Sequence, residues 1–352
     1  MSQQSIAELV KLYSDAQQKL IKIISQKHAR KTNTYHEKRM LQQTNATLNQ
    51  LIKESKVWTN SEIPRSYKKG VRGAIDAFKA SGVEVLSHDK VDKIHNKQIE
   101  ILVRNTNDDL ITGNVFVGRN IRDTIRQITI DTIAESRATG ESIAQIRNRL
   151  KNRFINENIT AIKTKNGRRI SLDSYASTVA RSVITESENI AVIEHTKANG
   201  HDLVRMSSHS TSCPICAPLQ GRVYSITGKT KGYPKLSIAY TGVHANIHPN
   251  CKHFLYPYFP ERDKGRETTK AFSNRSFDID DRSDRERKAY DAQQERNRKR
   301  NADYRQWERY KTVMPSETPR SFSGFRKSKK ANSKRYQELQ SKYRGIRQQK
   351  TN

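Results

Sequence analysis

Apolar residues recur at spacings of three and four along the first part of the chain. Ile6, Leu9, Val10, Tyr13, Ala16, Leu20, Ile23 and Ile24 fall on one face of a helix. Leu41, Leu48, Leu51 and Ile52 carry the pattern past a polar middle, and no proline interrupts it. A long helix or helical hairpin over residues 5–52 follows, its stripe covered either by this chain or by a neighbouring subunit. In WTNSEIPRSYKKGVRGAIDAF, Trp58 to Phe78, Ser61 suits an N-cap and Pro64 a first turn. Tyr67, Val71, Ile75 and Phe78 share one side, so a cap and a short helix are predicted. Between Asp89 and Thr139 the positions of Ile99, Ile101, Leu102, Ile121, Ile125, Ile128, Ile130 and Ile133 predict further helix. Thr139-Gly140 breaks it, and Ile143, Ile146, Leu150 and Phe154 predict its resumption near Ser142.

KTKNGRRISL, Lys163 to Leu172, reads as a short hairpin or turn about Asn166-Gly167. Ala176, Val179, Ala180, Val183, Ile184, Ile190 and Ala191 then mark the cleanest helix in the chain, closed by Asn199-Gly200. Strands are predicted at Asp202 to Met206, at Arg222 to Ile226 and in the aromatic run FLYPYF. After Pro260 aliphatic residues become scarce. DRSDRERKAYDAQQERNRKRNADYRQWERYK predicts a charged helix marked by Tyr290, Tyr304, Trp307 and Tyr310, without a broad apolar face. TPRSFSGFRKSKKANSK reads as a flexible connection, and SKRYQELQSKYRGIRQQ as a last short helix. Such a tail orders against a partner. The fold class expected is mainly α, with a small α+β zinc-knuckle-like domain. Residues 1–160 form a long helical region for partner docking, 161–260 the knuckle, and 261–352 a basic arm, partly disordered or helical on a partner.

Composition sharpens that division. Of 352 residues only 34% are hydrophobic and 29% charged, and the mean hydropathy is −0.90, so a core fills part of the chain rather than all of it. Lys and Arg number 66 against 36 Asp and Glu, a net charge of +30. Residues 261–352 alone hold 27 basic against 14 acidic side chains. Charge of this size implies a polyanionic neighbour, nucleic acid or an acidic protein surface. Arg296, Arg298, Lys299 and Arg300 in RNRKR, and Arg326, Lys327, Lys329 and Lys330 in RKSKK, suit non-specific contact with a phosphate backbone. No run reaches the roughly 20 apolar residues of a membrane span. The opening MSQQSIAELVKLYSDAQQKL lacks the apolar stretch of a signal peptide. With three cysteines the chain builds no disulfide framework, so it reads as made and kept in a reducing cytoplasm.

The three thiols are placed with purpose. Cys213 and Cys216 form a Cys-x-x-Cys turn stiffened by Pro214. His248 and Cys251, also two residues apart, follow with Pro249 between them. Two bidentate clips of soft and borderline donors supply the four corners of a structural zinc tetrahedron. A metal so bound would staple a domain short of apolar core. His209, His244 and His253 are spare donors. A thioredoxin-like redox pair shares the spacing but heads a helix, whereas Pro218 and Gly221 follow here. Cysteines without any ligand remain a third reading. A zinc-stapled nuclease of the treble-clef, HNH-like kind is a fourth, with His244, Asn246, His248 and His253 available. Between Cys213 and His253, however, no acidic residue is present to share a hard cation. Arg181, Thr185 and Glu186 are assigned no catalysis, and read as solvated residues beside a packed helix face.

CPICAPLQGRVYSI, GYPKL and IHPNCKHFLYPY together resemble the signature of tailed-phage minor capsid proteins of the minor capsid protein 2 group, related to the Mu F-like head-morphogenesis proteins. WTNSEIPRSYKKG, ASTVARSVITESENIA and YDAQQERNRKRNADYRQWER extend the likeness. The resemblance implies a structural virion component at the portal vertex, not an enzyme. It would act in procapsid assembly and in DNA packaging or ejection, with portal, capsid and scaffold proteins and DNA as partners. It also makes Cys213, Cys216, His248 and Cys251 the motif residues. A general basic DNA-binding protein outside any particle is the remaining alternative.

Overall fold

The computed structural model describes residues 2–25, 33–85, 88–139, 162–163, 169–240, 245–314 and 316–348. Its main helices are α1 (Ser2–Ser25), α2 (Asn33–Ala80), α3 (His88–Thr139), α4 (Leu172–Ala198), α5 (Arg266–Ser273), α6 (Asp284–Val313), α7 (Phe322–Lys330) and α8 (Lys334–Gln348). Two short strands, β1 (Ile162–Lys163) and β2 (Arg169–Ile170), pair antiparallel where the hairpin was predicted. A second sheet takes β3 (Leu203–Met206), β4 (Val223–Ser225) and β5 (Leu255–Pro257) in the order β4-β3-β5, all antiparallel. The helix predicted from Ser142 lies outside the described residues, as does the turn at Asn166-Gly167. Among the described residues no helix is long and apolar enough to cross a membrane.

The chain divides into two compact units. The first comprises Met1–Gln17, Asn45–Gly118 and Ala161–Ala289, the second Gln18–Thr44, Arg119–Thr160 and Tyr290–Asn352. In the first unit the stripe of α1 is covered by this chain itself. Leu9 and Tyr13 are fully buried, the indole N–H of Trp58 donates to the Ser5 carbonyl at 3.0 Å, and Asn114 donates to the Tyr13 hydroxyl at 3.2 Å. The short capped helix expected at Ser61 does not form; α2 runs straight through Pro64. Proline removes one intrahelical hydrogen bond. Burial of Trp58, Ile63 and Tyr67 around it outweighs that loss, and the Ser61 hydroxyl donates back to the Trp58 carbonyl at 3.0 Å.

Helices α2 and α4 meet where a glycine permits it. A Cβ on Gly70 would lie 2.4 Å from the Glu188 carbonyl oxygen and 2.7 Å from the Ala191 Cβ. Gly70→Ala is therefore expected to destabilise the chain by about 1–3 kcal/mol through overpacking. Differential scanning calorimetry reads this as a lowered midpoint, and an unchanged midpoint would mean the two helices have slack. Beside this contact Ile63, Tyr67, Leu102, Val183 and Ala191 form one apolar cluster. Helix α4 ends as predicted, Gly200 taking φ +78° while the Asn199 and His201 N–H groups donate to the His195 and Thr196 carbonyls.

The second unit includes most of the basic region, and here the structure corrects the expectation of a tail without its own apolar face. Helices α6, α7 and α8 enclose Trp307, Tyr310, Met314, Phe325, Tyr336 and Leu339. The stretch expected to be a flexible connection contains α7, whose start is capped by the Ser321 hydroxyl accepting from the Gly324 N–H at 3.1 Å. Aromatic rings bury much area per residue, so four of them on three helices replace the missing aliphatic stripe.

Candidate metal centre

The cysteines belong to the first unit and sit beneath its sheet. Strand β3 leads into the Cys-x-x-Cys turn, in which the Cys216 and Ala217 N–H groups donate to the Cys213 carbonyl at 3.1 and 2.9 Å. The turn re-enters the sheet through Gly221, whose φ of +75° a side chain would resist. No helix follows Cys216, so the geometry is that of a knuckle and not of a thioredoxin-like pair. The second clip closes with the Cys251 N–H donating to the His248 carbonyl at 3.0 Å, and Asn250 takes the left-handed conformation that Asn tolerates best among side-chain-bearing residues. Cys216 and Cys251 are packed among Val204, Met206, Tyr224, Ile247 and Leu255.

One face of α4 holds that second clip in place. Thr178, Ser182, Thr185 and Asn189 follow one another at intervals of four, three and four, so they line one side of the helix. Asn250 donates to the Thr178 hydroxyl at 3.2 Å and Asn246 to the Ser182 carbonyl at 2.9 Å, while Thr185 donates to the Cys251 carbonyl at 3.5 Å. Buried Asn189 donates to the carbonyls of Ala245 and His253 at 2.9 and 3.3 Å and accepts from the Leu255 N–H at 2.9 Å. Thr185 is thus a positioning residue for the clip, not the solvated side chain expected, whereas Arg181 is exposed. The first clip is tied from the other side. Arg282, gripped by Asp280 through Nε and Nη2 at 2.9 and 2.7 Å, donates to the Ser212 carbonyl at 2.8 Å. That fork holds the Asp280 carboxyl down at about 2.

Five donors form two groups that share Cys216. The ligand atoms of Cys213, Cys216 and His248 all lie within 4.8 Å of one another, and so do those of Cys216, Cys251 and His253. His248 Nε2 is 3.2 Å from Cys213 Sγ and 3.0 Å from Cys216 Sγ. Cys216 Sγ stands 3.9 Å from Cys251 Sγ, which is 3.5 Å from His253 Nδ1. Around a tetrahedral ion with bonds of about 2.3 Å to sulfur and about 2.0 Å to nitrogen, sulfurs stand about 3.8 Å apart and sulfur and nitrogen about 3.5 Å. The last two distances already have those values, and His248 needs to withdraw by roughly half an ångström. A buried Cys/Cys/His cluster of this kind can hold a metal ion. Of the spare donors His209 falls outside both groups, its Nε2 facing the Ser207 hydroxyl and the Lys252 carbonyl at 3.1 and 3.2 Å. His244 lies outside the described residues.

The protons of the cluster are frustrated. A hydrogen bond from Cys216, aided by His248, pulls the Cys213 thiol down to about 3. The neighbouring Cys216 likewise pulls Cys251 down to about 4. Cys216, flanked by both, is pushed up and keeps its proton, while the hydrogen bond between His248 and Cys213 lifts His248 to about 9. Three sulfurs cannot all carry charge against one imidazolium; a divalent cation among them removes that conflict.

The basic candidates divide. Arg296, Arg298, Lys299 and Arg300 are exposed on α6, Lys299 paired with Glu295 at 2.5 Å. Asp303 draws Arg326 to 3.2 Å and Lys329 to 2.7 Å, leaving Lys327 and Lys330 exposed on α7.

Residues 2–345 match the family described as Phage minor capsid protein 2. The chain belongs to that family. A curated relative from Lactococcus phage LL-H, described as a structural protein, is 31% identical over 105 residues, 28% of this chain and 28% of that protein. The chain thus aligns with well under two thirds of that relative. No solved structure matches. Membership in that family makes this a phage minor capsid protein.

Proposed function

We propose that this minor capsid protein works at the portal vertex of the phage head, in procapsid assembly and in DNA packaging or ejection, and stays in the virion. The family match along nearly the whole chain carries the reading. Residues 1–160 would dock on portal, capsid or scaffold protein, 161–260 would be the stapled knuckle, and 261–352 the basic arm. One structural zinc, bound by Cys213, Cys216, Cys251 and His248, would hold the knuckle's two loops to the sheet, and its role is mechanical. The net charge of +30 supports contact with packaged DNA, which needs no base recognition. On the arm, Arg296, Arg298, Arg300, Lys327 and Lys330 are less encumbered than Arg326 and Lys329, for which Asp303 competes.

Fractionation of infected cells tests the placement. The protein is expected in both procapsids and mature particles and to co-purify with portal protein after mild disruption. Its absence from both particle types would overturn the reading. Recovery in particles without portal would move it to another place in the head.

A further inference from the structure

His253 belongs to the donor group that lacks His248, and its hydrogen bonds fix which of its nitrogens is bare. The His209 backbone N–H donates to Gln220 Oε1 at 2.9 Å, which settles that atom as the amide oxygen. Ser212 Oγ stands 2.5 Å from the same oxygen and so must donate its only proton to it. His253 Nε2 lies 3.0 Å from Ser212 Oγ and 3.2 Å from Gln220 Oε1. Both neighbours can now only accept, so Nε2 carries the ring proton. Nδ1 of the neutral ring is therefore an open lone pair, and it faces Cys251 Sγ at 3.5 Å.

His248 is set up in the same manner by a different partner. In the deprotonated ring that would ligate a metal, its Nδ1–H donates to the Pro249 carbonyl at 2.7 Å, which leaves the Nε2 lone pair facing Cys213 and Cys216. Each imidazole thus has one nitrogen locked to protein oxygen and the other turned bare onto sulfur, the arrangement by which outer partners orient metal-ligating histidines. His253 is also 95% buried, with an exposure of 5%, so this lone pair faces no solvent. The bare nitrogen of His253 is suited to a cation.

We infer that His253 is a metal ligand. The centre holds one thiophilic divalent cation such as zinc by three thiolates, and takes its fourth bond from either His248 or His253. Cys216, common to both groups, stays bound in each arrangement. The inference rests on the zinc reading above and extends it from four donors to five.

Cobalt(II) titration of the purified full-length protein, with zinc back-titration, separates the possibilities. The wild type is expected to bind one ion in a tetrahedral site with thiolate charge-transfer bands. His248→Ala and His253→Ala are each expected to bind one ion, less than about tenfold more weakly, with the tetrahedral d–d bands retained. The double variant should lose at least about a hundredfold. If His248→Ala alone falls as far as the double variant while His253→Ala matches the wild type, His253 is no ligand and the inference fails. Two ions per chain would also overturn it.

A measurement on the wild type guards against variants that misfold. With 15N-histidine labelling, zinc is expected to shift the bare-nitrogen resonances of both His248 Nε2 and His253 Nδ1, and movement of His248 alone would refute the exchange. A wild type that binds neither cobalt nor zinc sinks the structural-zinc reading itself. Binding through one histidine sinks only this extension.

Discussion

Cys216→Ser is expected to abolish stoichiometric zinc binding and to lower the thermal midpoint by roughly 10 °C or more. Cys216 is the one donor shared by both groups, so no rearrangement of the other four compensates for it. A serine hydroxyl keeps its proton near neutral pH and is a poor ligand for a soft site. Apparent binding energies of structural zinc in small fingers run to about 10–16 kcal/mol, and in such sites binding is folding. The loss here is smaller, because α4 and the three-stranded sheet hold part of the knuckle without metal. A shortfall of several kcal/mol, at roughly 2–4 °C per kcal/mol for a domain of this size, gives the stated shift. Chelator should bring the wild type to the midpoint of the variant and leave the variant unchanged. Equal midpoints for untreated wild type and variant would mean that metal contributes nothing to the fold. Cys213→Ser should be milder, since Cys216, Cys251 and His253 remain together.

Asn189→Leu is expected to destabilise the chain by about 3–5 kcal/mol, although the two side chains have nearly the same shape. Asn189 is 1% exposed and makes three hydrogen bonds into the loop that bears Cys251. Leucine strands two carbonyls and one N–H without water, each at about 1–3 kcal/mol, offset in part by the apolar gain. Urea unfolding followed by circular dichroism measures the change. Zinc affinity should fall as well, because the second clip loses its anchor on α4. A variant with unaltered stability but weakened zinc binding would show that Asn189 orients the loop without supporting the fold. Unaltered values for both would remove it from the site.

Helix periodicity was legible along α1, where aliphatic residues carry it. Leu9, Tyr13, Ala16, Leu20 and Ile23, buried in the structure, all belong to the stripe read from spacing alone. Local rules failed at Pro64, because the gain that keeps α2 intact comes from residues far away in sequence. They failed again in the basic tail, where the core is assembled from one or two aromatics on each of three helices. No single helix there shows a face wide enough to notice. In the metal centre the donor types and the two clips could be read from spacing. The pairing of His253 with Cys251 could not, since it depends on the orientation of Gln220, thirty-three positions away. The polar stripe of α4 was visible as a four-three-four interval. Hydroxyls and amides on a helix usually face water, so nothing marked it as an anchor.

The aromatic cluster of α6, α7 and α8 changes what the basic arm is. A loose polycation must surrender chain entropy before it lies along a duplex. Cations mounted on prefolded helices have already lost most of that freedom, so ordering costs little when phosphate arrives and nothing needs to unravel when it leaves. Along α6, Arg296 and Arg300 stand one helical turn apart, about 6 Å of axial rise. On the proposed function such a rod would be a bearing surface more than a tether for DNA under load, each guanidinium releasing one phosphate as its neighbour meets the next.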